Sequence, residues 1–117
     1  MIITSYKIFE NLSPQVGDYV ICKDNILADR TDPNGIEAYN YILNTIGKIS
    51  VKENITGFMV IYDSIPYNIK QFFDIDKQNA YGLESIGKRS FEMDEILYFG
   101  KTKQAVLSQQ KGNRFDL

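Results

Sequence analysis

Apolar positions in this chain fall in short bursts, most with the two-residue alternation of a half-buried strand. In Tyr19-Val20-Ile21-Cys22, Tyr19 and Ile21 point to one side and Val20 and Cys22 to the other. Both sides are largely apolar, which predicts a strand in the body of a small barrel. Ile46 to Val51 alternates apolar with small or polar residues, Asn54 to Gly57 supplies turn chemistry, and Phe58 to Tyr62 is almost wholly apolar. These predict a hairpin. Further strands are expected over Ile2 to Phe9, Arg89 to Glu92 and Ile96 to Phe99, with a tight turn at Met93 to Glu95 between the last two.

Helical spacing is rarer. Ile36, Tyr39 and Leu43 recur at that spacing with Ala38 and Ile42 alongside, predicting a short helix that depends on packing. Tyr67 to Phe73 has room for one or two helical turns, and a short helix is expected from Lys101. Asp24 to Gly35, rich in Asp, Asn, Pro and Gly, reads as a long loop, and Asp74 to Lys88 as another. Residues 1–111 are expected to form one β-rich domain, with 112–117 a flexible tail.

Chain length and composition agree with one folded domain: 117 residues bury about two-thirds of the surface an unfolded chain exposes. The formal charge of −2 argues against a protein built mainly to neutralise duplex phosphates. A basic end, with Lys101, Lys103, Lys111 and Arg114 against Asp116, runs against that balance. No apolar run approaches the roughly 20 residues needed to span a bilayer, and the first residues lack a secretory signal pattern, so the expected location is cytoplasmic, or a host cytoplasm or virion if phage-encoded.

Candidate chemistry is sparse. The sequence holds no histidine and a single cysteine, Cys22, inside an apolar run, so neither the usual acid–base residue nor a thiolate metal site is at hand. Asp24, Asp29 and Asp32, and Asp74 with Asp76, lack the spacing of an EF-hand and read as loop acids. Gly82 to Arg89 (GLESIGKR) has the glycine spacing and lysine of a phosphate loop but lacks the hydroxyl residue and the strand-to-helix setting. No metal, cofactor or catalytic residue is expected.

The order of elements resembles an SH3-like fold. Val16-Gly17-Asp18-Tyr19-Val20, Ile46-Gly47-Lys48-Ile49, Phe58 to Tyr62 and Asp94-Glu95-Ile96-Leu97-Tyr98 carry that resemblance. The GDYV strand, the Tyr62-Asp63-Ser64-Ile65-Pro66 segment and Asp94-Glu95-Ile96 also resemble short uncharacterised proteins of phages and low-GC bacteria. The fold expected is therefore mainly β (α+β), a partly open SH3-like barrel of about five strands with one or two inserted helices. Its two long segments, Asp24 to Thr45 and Tyr67 to Lys88, exceed a simple SH3-like plan, and such folds host many functions.

Function is expected to be binding without catalysis. Tyr62 to Phe73 is dense in large apolar groups, and Tyr62, Ile65, Tyr67 and Phe73 are the expected contacts with another protein, in a phage accessory or structural component or an inhibitor of a host system. The alternative is a nucleic-acid-binding barrel using Lys48, Lys88, Arg89, Lys101 and Lys103 with aromatic partners such as Phe72, Tyr81 and Tyr98.

Overall fold

Gly17 has a φ of 93°, and this left-handed turn delivers the chain into β1 (Tyr19–Cys22). Helix α1 spans Pro33–Asn44 and begins three residues before the expected Ile36. The reason is local: Asp32 is the N-cap, its carboxylate accepting the Gly35 N–H at 3.1 Å, and Pro33 fills the first helical position, where its missing N–H costs nothing. The hairpin of β2 (Gly47–Lys52) and β3 (Gly57–Tyr62) forms as expected, with the Asn54 side chain accepting the Gly57 N–H at 2.7 Å in its turn.

The computed structural model describes residues 13–76 and 85–115; the strand expected over Ile2 to Phe9 lies outside them. After β3, a 3₁₀ turn occupies Tyr67–Phe72, and Asp74–Ile75 forms a two-residue strand, β4, inside the expected loop. Next come β5 (Gly87–Glu92), a 3₁₀ turn at Met93–Glu95, β6 (Ile96–Gly100) and helix α2 (Lys103–Phe115). Helix α2 runs through Gly112, into the stretch expected to be a tail.

Among the described residues all pairings are antiparallel, in a six-stranded sheet of order β4-β5-β3-β2-β1-β6. The architecture is thus α+β with an open sheet. Cross-strand partners share a face, so register sorts the side chains. One face carries Val20 and Cys22, Ile49, Phe58, Val60 and Tyr62, and Phe91, all buried against Ala38 and Ile42 of α1 and against Leu27, Ile65, Ile69 and Phe73. Ser64, at φ 57°, turns the chain so that Ile65 drops into this core.

On the opposite face α2 lies against β1 and β6, where Ile21 and Val106 are buried. Gln109 of α2 also reaches the open edge of β6: its Nε2 donates to the Phe99 carbonyl at 2.6 Å, and the Phe99 N–H donates to its Oε1 at 3.4 Å. Among the described residues no helix is long and apolar enough to cross a membrane.

The two long segments meet on the core face. Arg89 shares the alternation of Gly87 and Phe91, so its side chain enters the core side, where it pairs with the buried carboxylate of Asp24. Arg89 Nη1 donates to the Phe72 carbonyl at 2.7 Å, and Asp24 Oδ1 accepts the Leu27 N–H at 2.9 Å. One ion pair thereby fastens the Asp24 loop and the Tyr67–Phe72 turn over the sheet.

Candidate functional site

The expected protein contacts separate on folding. Tyr62 is fully buried, its ring 5.7 Å from that of Phe73, 5.9 Å from Tyr41 and 6.3 Å from Phe91 between centroids. Ile65 and Phe73 are buried in the same cluster. These three are core and present no surface to a partner, because the Asp24 loop, α1 and the Tyr67–Phe72 turn cover that face. The signal was present in Phe58-Met59-Val60-Ile61-Tyr62: period-two alternation puts Tyr62 on the side of Phe58 and Val60.

Tyr67 differs: it is 85% exposed. Its turn is pinned from below by Ile65, Ile69 and Phe73, so the ring stands out from a fixed base. Lys70 Nζ lies 5.0 Å from the ring centroid, and Asn34, Asn68 and Gln71 complete a shallow hollow of about 420 Å³.

The basic candidates divide as well. Arg89 is committed to Asp24 and Phe72. Lys101 pairs at 2.7 Å with Asp18, a buried carboxylate that also accepts the Gln15 N–H at 2.9 Å. Lys48 and Lys103 come together, although 55 residues apart, over the ring of Tyr19: their Nζ atoms lie 5.5 and 5.8 Å from its centroid. Around them a groove of about 560 Å³ is bounded by Val16, Gly17, Ile61 and Asp63. Lys88 lies in the same cross-strand row, since Tyr19 pairs with Lys48, Lys48 with Ile61 and Ile61 with Lys88. Tyr81 lies outside the described residues, and Phe72 is partly buried under Arg30, whose guanidinium stands 5.3 Å from its ring.

Tyr19 is the residue that sequence reasoning assigned to core. Alternation separated Tyr19 from Val20, but nothing local says that α2 stops short of covering that side.

Burial pushes the Cys22 thiol up to about 12, with the neighbouring Tyr62 hydroxyl acting in the opposite direction and the Glu95 and Asp24 charges adding to the rise. Such a thiol is not a nucleophile at neutral pH. The Tyr62 hydroxyl is held well above its ordinary range, first by burial and then by Cys22. Among the described residues no three carboxylates or thiolates gather as metal ligands. Asp24 is spent on Arg89, Asp32 on capping α1 and pairing with Arg30 at 2.6 Å, and Glu95 accepts the Asn25 and Glu92 N–H groups at 2.8 and 2.9 Å.

Comparison of the chain with protein-family models, curated proteins and solved structures finds no match.

Proposed function

We propose that this chain is a non-enzymatic binding module on an SH3-like barrel plan, engaging a partner protein through the surface around Tyr67. The strand order β5-β3-β2-β1-β6, with a 3₁₀ turn joining β5 to β6, supports the SH3-like reading, β4 and the two helices being additions to it. The observation that carries the functional reading is the exposed ring of Tyr67 on a turn anchored by core residues. A tyrosine has only two side-chain torsions to freeze, and on a turn whose backbone is already anchored it loses little entropy on docking, which is why tyrosines are frequent anchors of interfaces. Lys70, beside the ring, adds a cation that a carboxylate of the partner can meet. In this reading the chain serves as an accessory part of an assembly or as an inhibitor of a host system, as its resemblance to short phage proteins implies.

The test is retention of proteins from an extract of the source cell by immobilised chain, compared with Tyr67→Ala and with Ile55→Ala as an exposed control. A partner lost in the first variant and kept in the second supports the surface. Identical retention by all three removes it. Circular dichroism should show Tyr67→Ala folded, because the side chain buries almost nothing.

A further inference from the structure

Helix α2 covers β1 and β6 on the outer face of the sheet, while α1 and the two long segments occupy the other face. Among the described residues no element covers the outer side of β1, β2 and β3 beside the first turn of α2. The groove at Tyr19 sits there, and two lysines share its aromatic floor. Each ammonium gains from the electrons of the Tyr19 ring, and among the described ion pairs neither has a carboxylate partner. One carboxylate, Asp63, lines the groove with Lys48, and another, Asp74, lies opposite Lys88 three strands away. Neither is among the described ion pairs with Lys48 or Lys103.

We propose that this groove binds single-stranded nucleic acid, a base stacking on Tyr19 while Lys48 and Lys103 exchange the ring for the flanking phosphates. This is a second surface, independent of the one at Tyr67. The ligand class follows from the pairing of a flat apolar platform with mobile cations, which is how sequence-tolerant single-strand sites are built. Lys88 extends the cationic track across the row, about 14 Å from Tyr19 at the usual spacing between strands. Asp63, two residues beyond Ile61 on the chain leaving β3, repels phosphate from that side of the row, so the strand runs along the lysines. A duplex hides the faces of its bases and cannot use the platform, which agrees with the net charge of −2.

The test is fluorescence anisotropy of labelled oligo(dT) and oligo(U), of about 20 nucleotides, with the full chain at about 50 and about 200 mM salt. Two phosphate contacts on a single strand predict about 7-fold weakening across that range, and three predict about 18-fold. Lys48→Glu and Lys103→Glu should each weaken binding, and Lys52→Glu should not. Tyr19→Leu should cost about 5- to 150-fold while Tyr19→Phe retains binding, the signature of stacking rather than of fold. Tyr67→Ala should leave oligonucleotide binding unchanged. Absence of binding at the lower salt overturns the proposal, as does binding indifferent to Tyr19→Leu. Equal competition by polyglutamate would also overturn it, pointing instead to an acidic protein segment.

Discussion

Raising the pH should unfold this protein from the inside, beginning at Cys22. In the unfolded chain its thiol ionises near 9.0, whereas in the folded chain burial holds it protonated to about 12. Between those values the unfolded state binds fewer protons than the folded one, so stability is intact below pH 9 and falls as pH rises toward 12. Each pH unit in that window removes about 1.4 kcal/mol, so roughly 2 kcal/mol is lost by about pH 10.5 and about 4 kcal/mol by the upper end. Tyr62 and Tyr41 act in the same direction above their ordinary value of 10.0, both chiefly through burial, Tyr41 being pushed up to about 12. Against a typical domain stability of about 5–15 kcal/mol, the loss is large enough to measure. The assay is urea unfolding followed by circular dichroism between about pH 7.5 and 10.5, for the natural chain and for Cys22→Ala. The variant starts from lower stability because it leaves a small void, so the slopes are compared and not the levels. Below about pH 10 the slope of the natural chain should be negative and that of the variant nearly flat. Equal slopes in the two proteins would show that Cys22 is not the group being titrated.

Two other substitutions probe what holds the fold. Asp24→Asn leaves Arg89 facing the core side without its counter-charge and should cost about 3–5 kcal/mol in urea unfolding, the penalty usual for removing one member of a buried pair; a cost below about 1 kcal/mol would place the pair in solvent's reach. Gly47→Ala puts a methyl group 2.4 Å from Val60 Cγ1 and 2.9 Å from the Tyr62 ring and should lower stability by about 1–3 kcal/mol. Gly112→Ala, with nothing within 4 Å, should instead raise it by roughly 0.5–1 kcal/mol in the same assay.

Elements whose signal is local were legible in the sequence. The β2–β3 hairpin follows from alternation and the Asn54–Gly57 turn, and the turn at Met93–Glu95 from the acidic pair Asp94-Glu95 just ahead of the apolar run Ile96 to Phe99. Helix α1 was found but begun late, because Asp32-Pro33-Asn34-Gly35 has the composition of a turn as well as of a capped helix start. What escaped was non-local. Arg89 looked like a surface cation because its counter-ion, Asp24, lies 65 residues earlier. Tyr19 looked like core because the side chains that share its face come from β2, β3 and α2. Tyr62 looked exposed because Pro66 and polar residues follow it, although strand alternation outweighs such neighbours.

Gln109 adds one consequence for handling the molecule. A sheet edge with unpaired amides is a template on which another chain can grow, and among the described strands β6 lies at an edge. The Gln109 carboxamide has the same donor and acceptor as a peptide group and meets the Phe99 peptide as a neighbouring strand would. The C-terminal helix is therefore a stopper as well as packing. A truncation at Gly100 would remove the stopper together with Lys103, and the shortened protein would be the one that forms aggregates on storage.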